Sequence, residues 1–174
     1  LREQALLPRM YSTMGPSLAI ADVDGDGLRD VYVGGARGQS GALFVKNVEG
    51  GYVRKAQPLF DQDKNSEDIA AAFFDVDADG DQDLFVGSGG YEFPAGDPHL
   101  RDRLYKNNGN GNFTSMPLPD YLNSTSVVKP GDADGDGDLD VFVGGRIIPG
   151  RYPERPNSYL LINDGRGSFI VDDR

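Results

Sequence analysis

The chain has 174 residues, no cysteine, one histidine and a formal charge of −11, from 28 acidic against 17 basic side chains. That length allows one domain with a sizeable core. The composition excludes disulfides and thiolate metal sites, no apolar run of 18 residues is present to span a membrane, and no basic cluster points to nucleic acid.

The chain starts at Leu1 rather than Met and shows no signal peptide, so it is expected to be a piece of a longer protein. Residues 1–16 read as a lead-in from a preceding repeat or linker. The first repeat, 17–58, is expected to hold four strands: Ser17–Ala21, Asp30–Val33, Ala42–Lys46 and Tyr52–Lys55. Between the first two lies Asp22-Val-Asp-Gly-Asp-Gly-Leu-Arg-Asp30. The second repeat, 66–120, gives strands near 69–74, 83–86, 103–106 and 113–116, with the loop Asp75-Val-Asp-Ala-Asp-Gly-Asp-Gln-Asp83. The third, 123–174, gives 125–129, 140–143, 158–162 and 169–171, with Asp132-Ala-Asp-Gly-Asp-Gly-Asp-Leu-Asp140. The loops begin 53 and 57 residues apart, and each runs into an apolar strand: Val31-Tyr-Val33, Leu84-Phe-Val86, Val141-Phe-Val143. Helical periodicity is evident nowhere.

A second landmark follows each loop, Leu104-Tyr-Lys-Asn-Asn-Gly-Asn-Gly-Asn-Phe113 and Leu160-Leu-Ile-Asn-Asp-Gly-Arg-Gly-Ser-Phe169. The first copy, Phe44-Val-Lys-Asn-Val-Glu-Gly-Gly-Tyr52, reads as one residue shorter. Asn-Gly and Asp-Gly pairs between apolar segments signal hairpins, because both residue types accept positive φ. Consecutive apolar residues in the inner strands mark burial on both faces. A repeating four-stranded sheet of this size is a propeller blade. The expected fold is therefore all-β, a β-propeller segment of three four-stranded blades, with an Asp-rich loop between the first two strands of each. Three blades cannot close a ring, so the piece either belongs to a larger ring or self-associates through apolar blade faces.

Four carboxylates at loop positions 1, 3, 5 and 9, with Gly at position 6, suit a hard cation with oxygen ligands, and Ca2+ ranks above Mg2+. The expected ligand sets are Asp22, Asp24, Asp26, the Leu28 backbone and Asp30; Asp75, Asp77, Asp79, the Asp81 backbone and Asp83; and Asp132, Asp134, Asp136, the Asp138 backbone and Asp140. Three structural calcium ions follow from three loops. Twelve of the 28 acidic residues are the carboxylates at these four positions, and the other 16 nearly balance the basic side chains. An EF-hand is excluded, because position 12 falls on Val33, Val86 and Val143 inside strands rather than on Glu.

These motifs resemble the FG-GAP or VCBS repeat family, whose blades build integrin-α-type β-propellers. Tyr91-Glu-Phe-Pro94, Arg101-Asp-Arg-Leu-Tyr105 and Tyr152-Pro-Glu-Arg-Pro-Asn-Ser-Tyr-Leu-Leu161 are similar to the bacterial branch akin to cartilage acidic protein, which often carries an ASPIC/UnbV module. The resemblance implies an extracellular, cell-surface or periplasmic calcium-bound scaffold for adhesion or ligand binding, and no enzyme. Alternatives are a glycan-binding or polysaccharide-degrading propeller and a purely structural spacer. A protein or glycan ligand is expected on the face opposite the Asp loops, where the longer connections carry Tyr91, His99, Arg101, Arg151 and Tyr152. A lone histidine without a nucleophile signature gives acid–base chemistry little to stand on.

Overall fold

A computed structural model describes residues 15–172. The expected lead-in lies outside the described residues up to position 14, as do the last two residues of the third repeat. The strands run in chain order as β1 Leu18–Ala21, β2 Asp30–Val33, β3 Ala42–Lys46, β4 Tyr52–Lys55, β5 Asp68–Phe74, β6 Asp83–Ser88, β7 Arg103–Asn107, β8 Phe113–Met116, β9 Ser124–Gly131, β10 Asp140–Ile147, β11 Tyr159–Asn163 and β12 Phe169–Val171. They form three antiparallel four-stranded sheets, each pairing strands in sequence order. Sequence-adjacent pairing needs only short connections, so each sheet is a local meander.

The three sheets stack through two apolar clusters. Ala19, Tyr32 and Leu43 of sheet one meet Leu84, Val86 and Tyr105 of sheet two. On the other side of sheet two, Phe85 and Leu104 meet Val128, Val141, Val143 and Leu161 of sheet three. Every residue of β6 is consequently buried, which is why its apolar residues are consecutive rather than alternating. Burying Phe85 and Leu104, both 0% exposed, contributes about 2–3 kcal/mol each by apolar transfer.

Several strands exceed their sequence limits. β6 reaches Ser88, β9 spans 124–131 and β10 reaches Ile147. The β10–β9 register shifts at Gly144 and Gly145, where the glycines let the pair continue past an irregularity. One helix was not legible: α1, Pro58–Gln62, joins sheet one to sheet two. Five residues are too few for a 3.6-residue period to register. Its Phe60 plugs the seam, with ring centroids 5.6 Å from Tyr32, 5.1 Å from Tyr105 and 5.9 Å from Phe113.

Pairing also corrects the first hairpin. Lys46 faces Tyr52 as Asn107 faces Phe113 and Asn163 faces Phe169. The three hairpins are therefore equally long, and Lys46, not Asn47, holds the position of Asn107 and Asn163. The Asp loops and these hairpins share one end of the stack, because strand direction alternates within each sheet.

Candidate metal centres

Each Asp loop is built largely by its own carboxylates accepting backbone N–H groups. At position 1, Asp22 accepts from Gly25 and Gly27 at 2.8 Å each, and Asp132 accepts from Gly135 at 2.7 Å and Gly137 at 3.3 Å. Asp75 accepts from Asp79 and Gly80. At position 5, Asp26, Asp79 and Asp136 each accept from the residue two further on. These short-range bonds are the means by which Asp fixes turns. Position 4 is left-handed in all three loops. Gly25 and Gly135 take it at φ 75° and 85°, whereas loop two has Ala78 there at φ 59°.

Position 9 does more than the sequence reading assigned to it. Asp30 is fully buried and accepts from Val23 N at 2.9 Å and Lys46 N at 2.8 Å. Asp83 accepts from Val76 and Asn107, and Asp140 from Ala133 and Asn163, at 2.7–2.9 Å. Each position-9 carboxylate thus ties the start of its loop to the end of the third strand. Its remaining lone pairs are free to ligate.

Position 3 is different. Asp24 Oδ1 and Asp77 Oδ1 are buried with no hydrogen-bond partner. A buried carboxylate oxygen without a donor is costly unless a cation faces it. Burial raises the Asp24 pKa, and the neighbouring Asp30 and Asp26 charges raise it further. Burial pushes the Asp83 carboxyl up to about 6 against the two N–H bonds that lower it, and Asp77 and Asp79 add to the rise. Loops one and two bring Asp22, Asp24 and Asp30, and Asp75, Asp77 and Asp83, together with ligand atoms within 4.8 Å of one another. In loop three the equivalent group is Asp132, Asp134 and Asp136, all exposed. Asp26, Asp79 and Asp140 lie outside these tight groups. Three all-oxygen sets, two of them with an orphaned acceptor, fit a hard divalent cation.

Three contributors were missed from sequence. Lys106 Nζ contacts Asp77 and lies 3.0 Å from Asp79, placing a positive charge on loop two. Asn107 Nδ2 donates to Val23 O of the preceding loop at 2.7 Å, and Asn163 Nδ2 to Val76 O at 2.7 Å. The repeated Asn at the end of the third strand was a signal for the latter; nothing local marked the former.

At the opposite end, the expected ligand face divides. Tyr91 is buried, so it is withdrawn from that face. The insertion folds back through a 3-10 turn at Pro98–Leu100, burying Phe93 and Leu100. His99 stacks on Phe93 at 4.7 Å with Nδ1 2.7 Å from Asp97, and Arg101 pairs with Asp120 at 2.7 Å. Arg151 lies 3.8 Å from Glu154, and Tyr152 is 44% exposed. Beneath them runs a network absent from the sequence reading. Asp68 accepts from Tyr32, Gly35 and Arg103, and the wholly buried Asp102 accepts from Ser88, Tyr121 and Thr125.

A family model described as FG-GAP-like repeat matches residues 22–86 and 75–143. Each match starts on the first Asp of one loop and ends on the strand behind the next, and together they cover more than half of the chain. The chain belongs to the FG-GAP-like repeat family. No curated protein matches it. In this FG-GAP-like chain, among the described residues, no helix is long and apolar enough to cross a membrane.

Proposed function

We propose that this FG-GAP-like chain is a calcium-bound β-propeller segment, its three sheets being blades, which serves as an adhesion or ligand-binding scaffold outside the cytoplasm. The observation carrying the metal reading is the pair of buried, unpartnered oxygens on Asp24 and Asp77 within tight carboxylate groups. A bound Ca2+ would supply two positive charges that offset most of the charge of each three-carboxylate group. The chain's own residues would hold it: positions 1, 3 and 9 in loops one and two and positions 1, 3 and 5 in loop three, with the remaining loop carboxylates and the position-7 carbonyls of Leu28, Asp81 and Asp138 as candidate further oxygens, while the N–H bonds to Asp22 and Asp30 hold loop one in shape. Sites of this kind act on folding, because the ion binds only the assembled loop.

Calcium at structural sites favours compartments where it is abundant, which supports an extracellular, surface or periplasmic location. Recognition of a protein or glycan belongs to the end opposite the loops, where Arg101, Arg151 and Tyr152 are exposed. A groove of about 330 Å³ on sheet one is lined by Val45, Lys46, Asn47, Val53, Arg54 and Lys55. The test is metal analysis of the dialysed protein with thermal melts in calcium and in chelator. Bound calcium and a higher melting temperature in calcium are expected; equal melts and no bound ion overturn the reading.

A further inference from the structure

Asn107, at the end of β7, serves two Asp loops at once. Its backbone N–H donates to Asp83 Oδ1 of loop two at 2.7 Å, and its side-chain Nδ2 donates to the Val23 carbonyl of loop one at 2.7 Å. Val23 in turn donates its own N–H to Asp30 Oδ2 at 2.9 Å. Asn163, at the end of β11, repeats the pattern one sheet later. Its N–H donates to Asp140 Oδ1 at 2.9 Å and its Nδ2 to the Val76 carbonyl at 2.7 Å, while Val76 N–H donates to Asp83 Oδ2 at 2.9 Å. The position-9 carboxylates Asp30, Asp83 and Asp140 therefore stand in one hydrogen-bonded series.

The series is buried and stiff. Each of its residues, Val23 and Val76 included, is at most 4% exposed, so water is not at hand to replace a lost partner. The amides cannot turn away, because Asn107 Oδ1 accepts from Asn108 N at 2.9 Å and Asn163 Oδ1 from Gly167 N at 3.2 Å. Sheet one also grips the hairpin behind Asn107: Gln57 Nε2 donates to the Gly111 carbonyl at 2.6 Å and Lys55 Nζ to that of Asn110. The link between loops one and two is the more direct. Asp30 and Asp83 each belong to the tight carboxylate group of their loop, whereas Asp140 lies outside that of loop three.

We propose that the cation sites of loops one and two are positively coupled through Asn107, so that an ion in either loop tightens binding in the other. An ion in loop two fixes the Asp83 carboxylate, Asp83 holds the Asn107 backbone, and the Asn107 amide holds the Val23 carbonyl. Val23 sits between Asp22 and Asp24, two ligands of the first site. The second ion thus meets a loop already ordered by the first. The element that both sites bias is the Val23 segment, fixed or frayed. Linkage makes the effect reciprocal. The proposal rests on the calcium reading.

The test is calcium titration by calorimetry of the full chain with loop three silenced by Asp134→Ala. Emptying loop two with Asp77→Ala should lower the affinity of loop one about fivefold or more, the lower end of typical coupling. In an Asn107→Ala background the same Asp77→Ala change should leave the affinity of loop one where it was. Asn107→Leu, which fills similar space without a donor, serves as a second variant should the alanine fail to fold. Asn163→Ala should keep the effect in full, which separates the shared bond from a general loss of stability. An equal fall with and without the Asn107 amide overturns the proposal. So does a loop-one affinity that rises when loop two is emptied, because repulsion between the ions then outweighs ordering. Two ions that bind with no mutual effect refute the coupling and leave the calcium reading standing, whereas a chain that binds no calcium overturns both.

Discussion

Replacing Asp30 or Asp24 by Ala in the same loop should give unlike results once calcium is removed. Asp30 is 0% exposed and accepts two backbone N–H groups, from Val23 and Lys46. Removing its carboxylate leaves both donors without a partner, at about 1–3 kcal/mol each, or roughly 2–6 kcal/mol in all. For a chain of this size that lowers the melting temperature by roughly 4–24 °C. The loss should persist in chelator, because it concerns the protein's own bonds. Asp24 Oδ1 has no donor at all, and its charge sits against Asp30 and Asp26. In chelator, Asp24→Ala should leave the melt unchanged or raise it slightly. In calcium at about 100 times the dissociation constant it should forfeit up to ~2.7 kcal/mol of ligand stabilisation. The assay is a pair of circular dichroism melts per variant, with calcium and with chelator. An equal loss for Asp24→Ala in both conditions, or an Asp30→Ala loss that vanishes in chelator, would refute the reasoning.

Ala78 holds a left-handed backbone where the other loops use Gly, so Ala78→Gly should raise stability by up to about 1 kcal/mol; a lower melting temperature in chelator would count against the strain. Lys106 neutralises Asp77 and Asp79 in competition with a cation. Lys106→Met should therefore destabilise the chelated protein and tighten calcium binding at loop two, a pair of opposite effects read by melts and calorimetry. Burial pushes Asp102 up to about 7 against its Ser88, Thr125 and Tyr121 donors, and it pushes Glu67 to about 7 with help from Glu92 and Asp68. The folded chain thus holds protons that the unfolded chain releases near the ordinary carboxyl pKa of about 4. These groups add stability at low pH that is lost as pH rises from about 4 through 7. Asp102→Asn should flatten the fall in melting temperature between pH 5 and pH 8 in chelator, and an unchanged slope would exclude Asp102 as its source.

The strand pattern and the carboxylate groups were legible because they recur. Val31-Tyr-Val33, Leu84-Phe-Val86 and Val141-Phe-Val143 repeat at one offset from an Asp loop, and that offset fixes which residues face the neighbouring sheet. What escaped was tertiary. Phe60 is one aromatic in a five-residue helix, and its value lies in three rings that arrive from two sheets. Tyr91 reads as an exposed loop aromatic until the 3-10 turn at Pro98–Leu100 folds the insertion down. Asp68 and Arg103 are 35 residues apart and look like ordinary surface charges, yet they pair at 2.5 Å in the interior. The first hairpin misled because Asn47 invites alignment with Asn107, while the backbone bond to Asp30 selects Lys46.

The bond from Asn107 to Val23 spans 84 residues, and that from Asn163 to Val76 spans 87. Nine-residue motifs that look self-contained are therefore finished by strands made much later. During synthesis, loop one is framed only after β7 has left the ribosome, and loop two only after β11. The sites mature one repeat behind the growing chain, so a peptide cut to residues 22–30 carries the ligands of the first site without the frame that orders them.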